Sequence, residues 1–186
     1  MLRSGLHYDY TNHWKWKLAD SNGNPQAESI PGLKQWTQVK AWPSVIHSEL
    51  LANKIIPDFK LGENERQVQW VGHVDWAYSL SFPSEKQVES CSSVELLLEG
   101  LDTFATVTLN GKEILKSDNM FLPRRVNVKH LLKPLLEVNE LVIVFESTVK
   151  RGNELEAKYG PRKSTMRDNK RMHIRKAQVS SQDADM

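Results

Sequence analysis

The sequence predicts an all-β fold, an antiparallel β-sandwich or jelly roll with one or two short helices, and three observations carry that prediction. From Trp76 onward the apolar residues recur with a period of two, the period of a half-buried strand. The dipeptide Asn110-Gly111 sits between two such runs and supplies the positive φ angles of a type I′ hairpin turn. The helices of about 10–15 residues that would join parallel strands do not occur between the runs. Short strands at close spacing with turn residues between them then pack as two sheets.

The first third of the chain holds all six tryptophans, from Trp14 to Trp76, and is broken by Pro25, Pro31, Pro43 and Pro57. Its stretch PSVIHSELLANK predicts a short helix, with Ser44 as N-cap and Ile46, Leu50 and Leu51 on one face. In WAYSLSF, Tyr78, Leu80 and Phe82 point one way and Ala77, Ser79 and Ser81 the other. In SVELLLEG, Val94, Leu96 and Leu98 face inward, with Glu95 and Glu99 outward. FATVTL sets Ala105, Val107 and Leu109 on one side and runs through Asn110-Gly111 into KEIL, a hairpin. RRVNV and ELVIVFE add two strands, the second apolar on both faces and therefore central. NELEAKY, with Glu154 and Lys158 spaced i,i+4, predicts one or two helical turns. At the end, Met172, Ile174 and Lys176 alternate with His173, Arg175 and Ala177 like the start of a further strand, and the pattern then gives way to VSSQDADM.

A chain of 186 residues, 39% apolar and 26% charged, suits one soluble domain with a sizeable core. No apolar run approaches the roughly 18 residues of a membrane span. The opening MLRSGLHYDYTNHW lacks the apolar stretch of a secretory signal. A single cysteine, Cys91, excludes an internal disulfide and a multi-cysteine metal site. These features predict a cytoplasmic protein. The net charge of +2 is uneven: residues 150–176 hold 10 Lys/Arg against 3 Asp/Glu, whereas residues 1–149 hold 15 against 18. The basic segment reads as a solvated connector. A nucleic-acid contact would show affinity falling steeply with salt, and only Tyr159 interleaves an aromatic there.

The chain contains no G-x-S-x-G, H-E-x-x-H, Walker or G-x-G-x-x-G motif. Its histidines, His7, His13, His47, His73, His130 and His173, lack ligand spacing, so neither metal nor cofactor is expected. Glu95 and Glu99 belong to a solvated strand face, Asp102 is placed to brace a turn, and Asp118-Asn119 reads as a loop bonding its own backbone. None has the apolar surroundings that raise a carboxyl pKa for acid work, so no catalytic residue is assigned. What does look functional is IPDFKLGENERQVQWVGHVDW. Indole faces stack on sugar C–H faces while neighbouring Asp and Asn bond hydroxyls, which makes Asp58, Asn64, Trp70 and Trp76 candidate carbohydrate contacts. For each tryptophan the competing reading is that it fills the core.

The segments WPSVIHSELLANKIIPDF and GENERQVQWVGHVDWAYSLSF, then LEGLDTFATVTLNGKEILKSDNMFLPRRVNV and the closing RKAQ, resemble the N-terminal domain of the β-mannosidases of glycoside hydrolase family 2, of fungal intracellular type. The resemblance runs in order from about Trp36 to Gln178. It implies a galactose-binding-like jelly roll that precedes an immunoglobulin-like sandwich and a (β/α)8 barrel. It also implies that both catalytic glutamates of the retaining hydrolysis of terminal β-mannose lie in the barrel, outside this sequence. In the family a Trp-Asp-Trp-Gly-Pro element, whose acid reaches the substrate, and a final strand follow RKAQ. Here VSSQDADM stands in their place, so neither Asp183 nor Asp185 inherits that role. The expectation is therefore a sandwich over residues 1–178 with a polar tail at 179–186, lacking its last strand, inactive alone and prone to self-association through an unpaired edge. The alternative is a stand-alone carbohydrate-binding module. Mannose-containing glycans are the expected ligands, with no membrane and no nucleic-acid partner.

Overall fold

Every strand pairing among the described residues is antiparallel. The computed structural model describes residues 13–40 and 43–160. The predicted strand start at 172–177, RKAQ and the 179–186 tail lie outside the described residues, as does Trp42. In chain order the elements are β1 (Trp14–Asp20), α1 (Pro25–Glu28), β2 (Thr37–Gln38), α2 (Ile46–Ala52), α3 (Asn64–Gln67) and a 3-10 turn at Gln69–His73. There follow β3 (Asp75–Pro83), α4 (Gln87–Ser90), β4 (Glu95–Leu98), β5 (Ala105–Leu109), β6 (Lys112–Ser117), β7 (Arg124–Asn127), β8 (Val138–Phe145) and α5 (Thr148–Tyr159). One sheet has the order β2-β1-β3-β8-β5-β6, and β4 pairs with β7 in a second.

Register decides which residues meet. Trp16 lies opposite Tyr78 and Leu18 opposite Trp76, while Tyr78 and Leu80 lie opposite Ile143 and Leu141 of β8. Val107 and Leu109 of β5 meet the same two β8 residues from the other side. One face of the large sheet is thus a continuous apolar layer, and Leu96, Leu98 and Val126 of the small sheet pack onto it. Leu33, Leu50, Ile56, Val68, Trp70 and Val71, from the helical first third, join the same core. Ala77 and Ser79, on the opposite face of β3, are buried as well, so this strand is withdrawn from water on both sides. The expected alternation in WAYSLSF therefore holds as direction but not as exposure.

The hairpin forms where the sequence places it. Asn110 and Gly111 have φ of 52° and 79°, and Leu109 pairs with Lys112 across them. Such angles cost a glycine little and are open to asparagine, which is why this dipeptide closes two-residue loops. β8 lies between β3 and β5, the central position its apolar composition predicts. Two local expectations are corrected. Val45, with no side-chain cap, occupies the N-cap of α2, because the Ser44 hydroxyl is turned to Glu49 Oε1 at 3.2 Å. The late helix is also longer than one or two turns: α5 starts at Thr148, where Ser147 Oγ caps the Lys150 N–H at 3.1 Å. In it Glu154 pairs with Arg151 at 2.6 Å rather than with Lys158.

A buried amide holds the far end of the sandwich. Asn139 is fully buried, donates to Ser84 Oγ (2.8 Å), and accepts from the Asn110 amide (2.9 Å) and the Lys133 N–H (2.9 Å). It thereby fastens the hairpin turn, the end of β3 and the approach to β8 to one point. A buried donor left without a partner costs the full desolvation of that group. Asn139→Ala is expected to lower stability by about 2 kcal/mol or more, read as a drop in the midpoint of chemical unfolding followed by tryptophan fluorescence.

Candidate functional site

The four residues singled out for carbohydrate contact separate into two pairs. Trp70 and Trp76 are 5% exposed and stand in the core. Their ring centroids are 6.1 Å apart, Trp16 meets Trp76 edge-on at 5.9 Å, and the Trp76 indole N–H donates to the Val71 carbonyl at 2.9 Å. Neither ring presents a face for stacking on a sugar, so both take the core-filling role. Asp58 and Asn64 do come together, in the loop leading to α3. The Asn64 amide donates to the Asp58 carbonyl at 2.9 Å, and Asp58 Oδ1 accepts the Lys60 N–H at 3.0 Å. Their polar atoms close that loop on itself. The exposed indole among the described tryptophans is Trp36, whose ring lies under the Lys17 ammonium at 4.5 Å. Its flanking Lys34, Gln35, Thr37 and Gln38 are the signal that separates it from the core tryptophans.

A concavity lies elsewhere, where the ends of β1, β3 and β8 converge. It is an open cleft of about 700 Å³ lined by Asn22, Asn24, His73, Ser147, Lys150 and Asn153, among others. Two of these lining residues are held from behind by Asp75, a largely buried carboxylate whose Oδ1 accepts the Asn22 amide at 2.9 Å and the Ser147 N–H at 2.7 Å. Ser147 also donates its hydroxyl to the Gly72 carbonyl at 2.8 Å, and Lys150 reaches Asn22 Oδ1 at 2.9 Å. The cleft therefore presents amides, an imidazole and an ammonium beside the N-terminus of α5, a lining suited to hydroxyl groups. Its carboxylates are committed, Asp75 to these donors and Glu154 to Arg151. Nothing at α5 or in the β1–α1 turn signals this cleft from sequence, because its members converge only when three strand ends are brought together.

The residues weighed for catalysis keep to structural roles. Glu95 and Glu99 lie on the solvated side of β4, Asn119 Oδ1 accepts the Phe121 N–H at 2.9 Å, and Asp102 accepts the Thr103 hydroxyl. Cys91 ends α4, and its carbonyl accepts the Lys129 ammonium. Among the described residues no group of three His, Cys, Asp or Glu side chains is placed to hold a metal ion, and no helix is long and apolar enough to cross a membrane.

The fold defines the class: a galactose-binding-like β-sandwich with a polar cleft at one end. A family model described as glycosyl hydrolase 2 galactose-binding domain-like matches residues 16–182, and the chain belongs to that family. It is 40% identical over 168 residues to Beta-mannosidase B of Thermothelomyces thermophilus, covering 89% of this chain and 18% of the relative. To Beta-mannosidase B of Aspergillus oryzae it is 37% identical over 173 residues, covering 92% and 19% respectively. The crystal structure of the β-D-mannosidase of Dictyoglomus thermophilum superposes with a TM-score of 0.69 at 37% identity, over 83% of this chain and 17% of that one. The chain corresponds to the N-terminal domain of these β-mannosidases and spans about a fifth of their length.

One ionisable group at the edge of the core is strongly displaced. Burial pushes the Tyr78 phenol from 10.0 to about 12. The hydrogen bond with Ser44 (3.3 Å) pulls it back, and the buried Glu49 carboxylate, which accepts the Lys40 N–H at 2.9 Å, pushes it further up. A phenol whose pKa is higher in the folded than in the unfolded chain stabilises the fold below pH 10 and ceases to do so as the pH rises toward 12. The loss amounts to roughly 2–3 kcal/mol. Ultraviolet titration is expected to show a late-ionising component that Tyr78→Phe removes, with unfolding setting in over the same alkaline window.

Proposed function

We propose that this chain is the sugar-binding domain of a β-mannosidase, whose complete activity is the retaining hydrolysis of terminal non-reducing β-D-mannose residues. The observation that carries the reading is its 40% identity, over 89% of its length, to a β-mannosidase B. Retaining hydrolysis needs two carboxyl groups about 5 Å apart across the scissile bond. At the cleft Asp75 and Glu154 accept hydrogen bonds from Ser147 and Arg151, which suits them to holding a binding wall in place. The domain accordingly serves as one wall of a site, contributing hydroxyl-binding groups. Asp58 and Asn64 supply the second polar loop, while Trp70 and Trp76 act from below as rigid packing. No cofactor is required, and the single cysteine, Cys91, favours a reducing, cytoplasmic setting. The chain also associates with itself through unpaired strand edges.

The purified chain is expected to release no aryl leaving group from an aryl β-mannoside at any pH, and turnover that survives repeated purification would overturn this assignment.

A second reading, a stand-alone carbohydrate-binding module, is favoured by the cleft of about 700 Å³, a size that admits a mono- or disaccharide. An open, one-sided cleft buries little of its ligand, so calorimetry with mannose and mannobiose is expected to show at most millimolar binding. Micromolar affinity would favour the module.

A further inference from the structure

The two sheets end differently, and the difference points to a specific mode of association. At the edges of the large sheet, β2 is two residues long, and β6 carries Lys112, Glu113 and Lys116, with Lys116 and Glu113 paired at 3.3 Å. Short length and edge charge are the usual protections against strand addition. The strands of the small sheet are four residues each and also carry charge, so what sets that sheet apart is its width. It consists of β4 and β7 alone, so among the described residues no strand pairs with the outer edge of either.

The two open edges also differ in charge. On the outer face β4 and its flank carry Glu95 and Glu99 and β7 carries Arg125, while Arg124, opposite Leu98, lies on the core-facing side with its Nε buried. Within the molecule they already fit: Leu97 lies opposite Arg125, Glu95 opposite Asn127, and the Arg125 guanidinium reaches Glu95 Oε2 at 3.4 Å. Leu97 is 39% exposed on the outer side of the sheet, beside that ion pair.

We propose that a second copy of this chain adds to the small sheet head to tail, its β7 edge on the open edge of β4, repeating the register of the internal pair. This rests on the self-association reading above and names its strands, partner and direction. Two β4 edges brought together antiparallel would set glutamates against glutamates, and two β7 edges would bring their arginines together. Like charges across a strand pair are destabilising, and opposite charges favour it. Only β4 on β7 matches charge to charge while keeping Leu96, Leu98 and Val126 on the core-facing side. Such a contact is heterologous: each copy that binds leaves one β4 edge and one β7 edge still open. Association therefore continues past the dimer into a distribution of longer assemblies.

Sedimentation velocity of the full chain over a wide concentration range tests this. The weight-average mass is expected to climb past that of a dimer. Arg125→Glu is expected to move association to about tenfold higher concentration, the scale of one exposed charge pair reversed. The exchange of both signs, Glu95→Arg with Arg125→Glu, preserves the internal ion pair and is expected to restore assembly. Tryptophan fluorescence shows that each variant is folded. A monomer at every concentration would remove both the self-association reading and this inference. A closed dimer, or assemblies indifferent to the charge reversal, would leave self-association standing and overturn the head-to-tail assignment. Should Arg125→Glu fail to fold, the doubly exchanged chain decides alone: assembly past the dimer supports the proposal, and a closed dimer overturns it.

Discussion

Over residues 75–80 strand β3 has water on neither face, and the rest of the sandwich is arranged around that condition. Its residues 75–80 are buried without interruption, on the one side against the tryptophan layer and on the other through small residues, Ala77 and Ser79. A strand so placed must have both its edges hydrogen-bonded, because an unpaired buried N–H costs the desolvation of that group. β1 and β8 meet that need along nearly its whole length. The order of the large sheet then follows outward, with β8 taking β5 and β5 taking β6 through the two-residue turn at Asn110-Gly111.

The tryptophans show why one part of this architecture was legible in the sequence and another was not. Period-two alternation reports which side chains share a face, and for Tyr78, Leu80, Val107 and Leu109 that is enough to assign the core. It does not report whether the other face meets water, so the burial of Ala77 and Ser79 is invisible until β1 and β8 are in place. The turn at Asn110-Gly111 is readable because its backbone angles select those residues directly. The extent of α5 is not, because Gly152 interrupts the helical pattern and hides the start at Thr148. For an indole the ambiguity is intrinsic. The same ring that stacks on a sugar fills a core, and only the company of Trp16, Trp70 and Trp76 around one another decides between them. The candidate cleft was hidden for a topological reason, since Asn22, His73 and Lys150 are distant in sequence and meet only at the ends of three strands.

The cleft presents groups that can orient hydroxyls, and the carboxylates at it, Asp75 and Glu154, accept hydrogen bonds from Asn22, Ser147 and Arg151. Catalysis by a pair of carboxylates demands a tightly held spacing, which a loop-lined, open-sided end of a sandwich supplies poorly. In the solved β-D-mannosidase that this chain superposes on, the matched portion is 17% of the molecule.

The linkage through Asp75 gives the domain the character of a mounting bracket. One carboxylate oxygen grips the β1 turn through Asn22 and the first turn of α5 through Ser147, so the axis of that helix is set by strand β3. The direction in which the polypeptide departs at Gly160 is then inherited from the sheet and not from the helix itself. Whatever the helix carries would be aimed, and a change at residue 75 would misalign it while leaving the hydrophobic layer beneath intact.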